Sequence, residues 1–376
     1  MAKAKDQTQL YTKFLKRSLN YRNLFDPETK FFRPRKHNFW LSPFDPYEVN
    51  SNYTEANAWH YAYSAVHDMK GFIDLHGGKD SLDLFLDKLF SAETQTSGRD
   101  QADITGLIGQ YAHGNEPSHH IAYLYNYVGK PWKTQQRVKE ILRTQYGNLP
   151  DGISGNEDCG QMSAWYVLSA LGFYSVAPGS PNYAIGSPLV AKATIQLKNG
   201  NSFSILVEDG NEKNIYIQDI YLNDKPLTRS FITHSEIMEG GLLKFEMGSQ
   251  PNRDWASDPE LFPPSEVKEA EALSPPFISK GKLSFTDSIR ITFGVLDKAE
   301  IYYSLDEDGY ILYENNDVTI LNTTKVCIYA SNNAFVSDTI CTLITKVDPL
   351  GSLSLESEYA EHYTGGSSQA LVDGLR

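Results

Sequence analysis

Ala193-Thr-Ile-Gln-Leu-Lys198 has the polar–apolar alternation of a β-strand, and Asn199-Gly-Asn201 is a turn that leads into a second alternating run, residues 202–207. Before this point, apolar residues recur at helical spacing instead. The period of the sequence therefore changes near residue 191. We expect a multidomain α plus β protein whose first part is helical and whose later part is built from strands.

Several segments of the first half have helical periodicity, and short connections that contain Gly or Pro separate them. Thr54 is the predicted N-cap of the second segment, and Gly77-Gly78 is its predicted end. Successive helices with short connections are typical of a helical bundle or of part of an (α/α)6 toroid. The predicted helices are residues 10–24, 54–75, 82–90, 104–111, 117–128, 132–146 and 160–171.

The second half divides into pieces of different composition. Alternating runs and Gly-rich turns predict an antiparallel β-region that closes the first domain. A linker rich in Pro and acidic residues follows, and then about seven short strands predict a small immunoglobulin-like β-sandwich. The predicted divisions are 1–190 for the helical domain, 191–256 for the β-region, 257–276 for the linker, 277–347 for the sandwich and 348–376 for the start of a further module.

Charge and composition exclude several classes of protein. The formal charge of −13 would repel nucleic acid and anionic membrane surfaces, so neither is an expected partner. No run of 18 apolar residues predicts membrane insertion, and residues 1–9 show no export signal. Cys159 is isolated, whereas Cys327 and Cys341 lie on successive predicted strands, where either a disulfide or two free thiols is possible. The sequence gives no indication of oligomeric state.

Three stretches have the density of polar and aromatic residues that is typical of active sites. Each is predicted to lie where a loop enters a helix, so free backbone N–H groups are available to hold an oxygen ligand. In a toroid the helix starts face one end of the ring, which lets the three loops converge. The stretches are Tyr53-Thr-Glu-Ala-Asn-Ala-Trp-His-Tyr61, His113-Gly-Asn-Glu-Pro-Ser-His-His120 and Gly155-Asn-Glu-Asp-Cys-Gly-Gln-Met-Ser-Ala-Trp165.

Each stretch also has a structural interpretation. Glu55, Glu116 and Glu157 are suited to the first turn of a helix, where a carboxylate favours the helix dipole. Asp158 with Gln161 has the form of a capping box. The recurrence of three such stretches supports the functional interpretation. Glycoside hydrolysis needs two carboxyl groups on opposite sides of a sugar, and the stretches together contain candidates for both.

A zinc site is not indicated by these residues. His119 and His120 are adjacent, so on a helix they point about 100° apart, and no HExxH motif is present. Carboxylate and amide oxygens suit a hard cation such as Ca²⁺ better, which makes Asn115 and Glu116 candidate ligands.

At these residues the sequence resembles glycoside hydrolase family 92, the calcium-dependent exo-α-mannosidases, over about residues 8–255. The resemblance rests on long composite motifs rather than on a short signature. They are Leu41-Ser-Pro-Phe-Asp-Pro46, Tyr53-Thr-Glu-Ala-Asn-Ala-Trp59, the run from Gly106 to His120, the run from Gly155 to Tyr174 and Pro178-Gly-Ser180.

The resemblance implies inverting hydrolysis of terminal α-mannosyl residues of glycans, assisted by Ca²⁺, with α-1,2 the expected linkage. It implies that Glu55 is the general acid and Asp158 the general base. Expected substrate-binding residues are Glu116, His119, His120 and Trp59, and expected metal ligands are Asn115, Glu116 and Asn156. Some members carry a carboxylate where this chain has Asn156, so a base role shared by two aspartates is not expected.

The resemblance also implies export, to a secreted, periplasmic or cell-surface location. Family members carry an N-terminal β-sandwich and a complete toroid, and this chain is expected to begin partway round the toroid and to have little activity alone. Residues 277–346 resemble the small β-domain of chitobiase-type hexosaminidases, and residues 358–376 resemble the opening of a discoidin-type carbohydrate-binding module.

Two alternatives remain open at this stage. A different α/α-toroid glycosidase, of trehalase or glucoamylase type, fits the helical pattern equally well. A non-catalytic glycan-binding protein, in which a decayed catalytic domain accompanies the β-modules, fits the composition.

Overall fold

The computed structural model describes residues 2–267, 272–348 and 354, and the described residues form two compact units. One unit combines Met1–Asp45 with Glu269–Arg376, and the other is Pro46–Lys268. The predicted divisions at residues 190 and 256 remain predictions, and the compact units divide the chain elsewhere. The module predicted at 348–376 lies outside the described residues, apart from Asp348 and Ser354.

The helices lie mostly in the second unit, Pro46–Lys268, and several are short. The 3₁₀ segments are Lys3–Lys5, Asn20–Leu24, Glu116–Ser118, Ile121–Val128 and Pro259–Leu261. The α-helices of the described residues are α1 (Thr8–Ser18), α2 (Ala58–Tyr61), α3 (Met69–His76), α4 (Lys79–Ser91), α5 (Pro131–Thr144), α6 (Gln161–Leu171) and α7 (His234–Glu239).

The strands include short pairs in the helical part and longer ladders after residue 181. In chain order the described strands are β1 (Arg35–Lys36), β2 (Phe39–Trp40), β3 (Glu48–Val49), β4 (Ser97–Gly98), β5 (Leu107–Ile108), β6 (Tyr111–Ala112), β7 (Phe173–Tyr174), β8 (Asn182–Ile185), β9 (Lys192–Gln196), β10 (Ser202–Glu208), β11 (Tyr216–Leu222), β12 (Lys225–Pro226), β13 (Phe231–Thr233), β14 (Gly241–Gly248), β15 (Phe277–Lys280), β16 (Ser284–Phe285), β17 (Ile289–Gly294), β18 (Glu300–Leu305), β19 (Ile311–Leu312), β20 (Val318–Ile320), β21 (Thr324–Ser331) and β22 (Ile340–Lys346).

Two of the predicted helices are wrong. The segment 54–75 is two helices, because Asn57 caps α2 and Asp68 caps α3, whereas Thr54 caps neither. The segment 104–111 is a hairpin of β5 and β6, and Gly109 in its turn has φ +60°. Apolar spacing does not distinguish a long helix from short helices that are capped separately, or from a short apolar hairpin.

The centre of the helical unit is the 3₁₀ segment Ile121–Val128, in which every residue is buried. Several of its polar side-chain atoms have hydrogen-bond partners, whereas Asn126 Oδ1 has none among the described residues. Tyr123 donates to Ser169 Oγ at 2.8 Å, and Asn126 Nδ2 donates to the carbonyl oxygens of Ile185 and Ser230. This segment therefore links the helices to the strands that follow. Whether the helices form part of a toroid stays a prediction.

The β-region after residue 191 is a mixed sheet, and the prediction that it is antiparallel is wrong for one pair. Its five strands lie in the order β12-β11-β14-β10-β9, and β10 runs parallel to β14. The chain reaches β14 through β11, β12, β13 and α7, a crossover long enough for parallel pairing. Alternation identifies strands but not the direction in which they pair.

The other unit contains two sheets that share one hydrophobic core. Three strands (β15-β17-β20) and five strands (β16-β22-β21-β18-β19) contribute residues such as Ile291 and Ile328 to it. Cys327 and Cys341 lie opposite each other on β21 and β22 and form a disulfide, which decides between the two states left open by the sequence. The likeness to an immunoglobulin sandwich stays a prediction.

The N-terminal segment belongs to this β-unit. Phe39 is part of its core, and the Arg35 guanidinium lies 4.4 Å from the Trp40 ring and 5.3 Å from the Phe277 ring. Arg22 also forms an ion pair with Asp297 at 2.8 Å. Residues from both ends of the chain therefore build one unit.

Candidate functional site

Glu55 lies in the loop before α2, and the structure does not place it in a helix cap. The cap is Asn57, whose side chain accepts from Trp59 N at 3.1 Å and donates to Gln110 Oε1 at 2.9 Å. Glu55 is exposed and has φ +54°, a conformation that non-glycine residues rarely adopt. Its carboxylate accepts no hydrogen bond within the described residues. The helix-dipole interpretation of Glu55 therefore has no support in the local geometry.

Asn115 connects this loop to the second stretch. Its Oδ1 accepts from Glu116 N at 3.2 Å, so Asn115 caps the 3₁₀ turn Glu116–Ser118. Its Nδ2 donates to the carbonyl oxygen of Glu55 at 3.4 Å. Asn115 is buried, whereas the Glu116 side chain is half-buried and its carboxylate has no hydrogen bond among the described residues. The structure thus brings Glu55, Asn115 and Glu116 together.

The second and third stretches meet through two glycines. A Cβ atom on Gly155 would lie 2.6 Å from Gly114 Cα and closer still to the Gly114 carbonyl oxygen. Such an approach is possible only because Gly155 has no side chain, and a Cβ on Gly114 would overlap Thr105 instead. The loop of Asn115 and Glu116 therefore touches the loop of Asn156 and Asp158 backbone to backbone.

Adjacent carboxylates take different roles in the third stretch. Glu157 accepts from Ser163 N and Ser163 Oγ, both at 3.0 Å, and so satisfies the first turn of α6. The predicted capping box of Asp158 and Gln161 is wrong, because the N-cap of α6 is Gly160. Asp158 is exposed at φ +47°, and its carboxylate accepts no hydrogen bond in the described parts of the chain.

His119 lies between the loops and is 2% exposed. Its Nε2 donates to the His113 carbonyl oxygen at 2.9 Å, which leaves Nδ1 to accept from Gln161 Nε2 at 3.2 Å. Burial lowers the pKa of His119, and the charge of Asp158 partly opposes this shift. The neutral imidazole therefore holds the loop through its hydrogen bonds to His113 and Gln161, and the negative charge of Asp158 affects its pKa.

The remaining predicted contact residues are each held by a contact within the helical unit. His120 Nε2 donates to the Tyr63 carbonyl oxygen at 2.8 Å. Trp59 is 7% exposed and stacks on Phe85 with ring centroids 5.5 Å apart. The geometry favours a positioning role for both His120 and Trp59.

Asp103 belongs to this cluster, although sequence reasoning did not identify it. Its Oδ1 accepts from Asn156 Nδ2 at 3.2 Å, and its Oδ2 accepts from Gln101 Nε2. The Thr105 carbonyl oxygen accepts from Gly114 N at 3.1 Å, so this loop runs beside both others. Asp103 lies in a segment that the sequence predicts to be loop and helix, and nothing in its immediate neighbours marks it as functional.

A cavity of about 590 Å³ lies against one side of the third stretch. It is lined by Tyr146, Glu157, Ser163 and Tyr166, among others, and by none of Glu55, Glu116 or Asp158. The chemistry of the exposed carboxylates, rather than cavity size, therefore identifies the candidate site.

Comparison with known proteins identifies the family of the chain. Residues 1–249 match the profile of the glycosyl hydrolase family 92 catalytic domain. The chain belongs to this family. The matched range contains all three loops that the structure brings together.

Solved structures of family 92 enzymes are similar to the chain over most of its length. An α-mannosidase of Bacteroides thetaiotaomicron, also solved in complex with mannoimidazole, is 40% identical with a TM-score of 0.65 over 70% of this chain and 35% of its own. An inverting mannosidase of the same organism is 37% identical with a TM-score of 0.64, over 71% of this chain and 37% of its own.

A curated fungal relative from Arthroderma benhamiae, described as an uncharacterized secreted glycosidase, is 27% identical over 68% of this chain and 34% of its own length. The chain therefore spans about a third of the length of the family 92 relatives that it matches. No helix among the described residues is both long and apolar enough to cross a membrane.

The candidate calcium ligands of this family 92 chain are oxygen donors of the type that a hard cation prefers. Glu116 offers a carboxylate without a hydrogen bond among the described residues, and Asn115 and Asn156 offer amide oxygens. No group of three or more His, Cys, Asp or Glu side chains in the described residues is placed to hold a metal ion. By chemical type these donors suit a hard cation, which would need further oxygen ligands from outside these side chains.

We predict that Gly155→Ala separates the second and third stretches. The added methyl overlaps the Gly114 backbone, which cannot move as a side chain can, so the free energy of unfolding should fall by about 1 to 3 kcal/mol. Urea unfolding measures this change. Gly147→Ala is the matched control, because the nearest atom to its Cβ is 3.7 Å away. Equal stabilities of the two variants would contradict the tight contact.

We also predict that the free energy of unfolding decreases as the pH is lowered below about 6.5. Burial lowers the pKa of His60 and of His120 to about 4 and that of His113 to about 2, whereas the unfolded chain titrates near 6.5. Above pH 6.5 these groups are neutral in both states. Between pH 6.5 and 5 only the unfolded state takes up protons, which costs up to about 1.4 kcal/mol per pH unit for each histidine.

Urea unfolding at pH 7, 6 and 5 tests this dependence. His60→Gln removes one of the buried imidazoles. The slope of its free energy of unfolding against pH, between pH 6 and 5, should therefore be smaller by the amount that corresponds to about one proton. An identical slope in the variant would show that His60 does not contribute to the pH dependence of stability.

Proposed function

We propose that the chain supplies the catalytic carboxylates of an α-mannosidase that removes terminal mannosyl residues from glycans with inversion. Glu55 is the general acid in this proposal, and Asp158 is the general base. Support comes from the family 92 relatives, which include an inverting mannosidase and a mannosidase that binds mannoimidazole. The observation that carries the proposal is the convergence of three loops through Asn115 and the Gly114–Gly155 contact.

The role of each carboxylate is the one that the family resemblance implies. An inverting enzyme needs two carboxyl groups about 6.5–9.5 Å apart, so that a water fits between one of them and the sugar. Glu55, in its protonated form, donates to the glycosidic oxygen as the bond breaks. Asp158 accepts a proton from the attacking water. Neither carboxylate is used by a cap or an ion pair within the described residues, so both remain available to substrate.

The residues behind the carboxylates hold them in place. His119 is fixed between the His113 carbonyl oxygen and Gln161, close enough to Asp158 to be affected by its charge. Asn115 ties the Glu55 backbone to the second loop. The left-handed backbone at Glu55 and Asp158 costs free energy, and such strain persists where the surroundings enforce it.

We include calcium in the proposal, held by Glu116 with the amide oxygens of Asn115 and Asn156. The ion would supply positive charge that binds sugar hydroxyls and orients the ring. Glu116 would then contact both the cation and the substrate. The neutral side chain of Asn156 leaves Asp158 as the single base, with Asp103 accepting from the Asn156 amide.

The finer features of the activity also belong to the proposal. The expected substrates are mannose-containing glycans with α-1,2 linkages. Export is the expected destination, which the secreted fungal relative supports. Because the chain spans about a third of its relatives, assays should use the full-length protein as its host produces it.

We predict that Glu55→Gln and Asp158→Asn each lower kcat for an aryl α-mannoside by about 10² to 10⁴. A substrate with a better leaving group needs less protonation, so 2,4-dinitrophenyl α-mannoside should restore the Glu55→Gln rate and not the Asp158→Asn rate. Steady-state kinetics measure both, with Glu212→Gln on an exposed loop as the control. Full activity of either variant on the poor leaving group would refute its role.

We predict that chelation of calcium lowers the rate and that added Ca²⁺ restores it, because the ion orients the sugar. Glu116→Gln keeps an oxygen donor but loses its charge, so it should need about tenfold more Ca²⁺ for half-maximal activity. A calcium titration after chelator treatment measures this shift. A rate that is insensitive to chelation would remove calcium from the proposal and leave the two carboxylates in place.

A further inference from the structure

The β-unit carries three tyrosines on the outer surface of its five-stranded sheet, which we call the tyrosine face: Tyr302, Tyr310 and Tyr329. Tyr302 on β18 pairs directly with Tyr329 on β21. Their neighbours Ile301 and Ile328 belong to the core, so the alternation of side chains places both tyrosines outside. Tyr310 lies just before β19, at the edge of the same sheet.

The three rings hold one another in position. Tyr302 and Tyr329 are stacked with centroids 5.2 Å apart and an interplanar angle of 9°. Tyr310 meets Tyr329 edge-on at 4.8 Å. Tyr302 and Tyr329 are half-buried, and Tyr310 is 45% exposed. A ligand would therefore meet aromatic surface that is already ordered, at a small cost in conformational entropy.

Apolar residues extend the tyrosine face beyond the three rings. Leu312 pairs with Tyr302, and Leu343 pairs with the outward-facing Lys325. Leu312 is 44% exposed and Leu343 is 55% exposed. Exposed apolar side chains on the same sheet as ordered aromatic rings give a ligand further apolar surface to pack against.

The charges around the face select against anionic ligands. The turn between β18 and β19 contains Asp306, Glu307 and Asp308, and Lys325 is paired with Glu307 at 2.8 Å. Glu300 accepts from the Tyr302 hydroxyl at 2.9 Å. Phosphate, sulfated glycans, nucleic acid and anionic lipid would all be repelled. The ligand that fits is neutral and combines apolar surface with hydroxyl donors.

A neutral sugar has both properties, because its C–H faces pack on aromatic rings while its hydroxyls donate to carboxylates and phenols. We propose that the tyrosine face binds an uncharged polysaccharide and so holds the enzyme on its substrate. The binding chemistry is independent of Glu55 and Asp158. The choice of α-mannan as the first probe rests on the proposed mannosidase function.

Affinity electrophoresis of the full chain tests this site, in gels that contain yeast α-mannan, galactomannan, xylan or hydroxyethyl cellulose. Retardation by at least one polymer is expected. Tyr302→Ala and Tyr310→Ala should each weaken the association constant by up to about tenfold. Tyr11→Ala is the matched control, since Tyr11 is an exposed tyrosine of the same unit on α1. Thermal unfolding shows whether each variant is folded. If Tyr302→Ala is not folded, Tyr302→Phe replaces it, because this variant keeps the ring.

The catalytic site is distinguished in the same gels. Retardation that persists in Glu55→Gln and with saturating mannoimidazole supports a separate site, whereas its loss in either case would place binding at the carboxylates and overturn the proposal. Absence of retardation by every polymer, or retardation unchanged in the tyrosine variants, would also overturn it. So would a dimer in sedimentation analysis that the tyrosine substitutions dissociate without any polymer binding, because the face would then join two copies of the chain.

Discussion

The candidate site depends on the contact between two backbones without side chains. Gly114 and Gly155 approach so closely that a single Cβ would separate them. This contact sets the distance between the loop of Asn115 and Glu116 and the loop of Asp158. Asn115 then extends the connection to Glu55 through one hydrogen bond. Loops that carry carboxylates in distant parts of the sequence are thus held next to one another, as acid–base chemistry on a sugar requires.

Buried neutral groups make this contact rigid. His113 lies between the hydroxyls of Tyr111 and Tyr146, and Trp165 Nε1 donates to the His119 carbonyl oxygen at 2.8 Å. Desolvation keeps these imidazoles uncharged, so they act as fixed hydrogen-bonding groups. The charged side chains of the site lie outside this neutral layer, where solvent and substrate reach them. A rigid layer behind exposed carboxylates is how a site holds its geometry at small cost.

The sequence predicted the composition of the site better than its architecture. The three stretches were found because Glu, Asp, Asn and His cluster beside glycines and aromatics. Helix boundaries at Asn57 and Asp68 were missed, because side-chain caps divide a continuous apolar pattern. Asp103 was missed because its contact with Asn156 spans 53 residues and leaves no local signal. The parallel pairing of β10 with β14 was missed because the alternation of polar and apolar residues does not indicate the direction in which two strands pair. The grouping of residues 2–45 with the β-unit was missed because it depends on tertiary contacts alone.

Glu157 and Asp158 show why residue type alone does not assign function. Both are exposed carboxylates in one loop, although the resemblance implies the base role for Asp158 alone. Two hydrogen bonds from Ser163 make Glu157 part of the start of α6, and any proton that it gained would weaken both. Asp158 has a left-handed backbone, and its carboxylate has no structural partner among the described residues. A group that stabilises the fold in its charged form is poorly suited to exchange protons in every turnover. The difference between these neighbouring acids therefore depends on the hydrogen bonds within the loop. This difference favours Asp158 as the base.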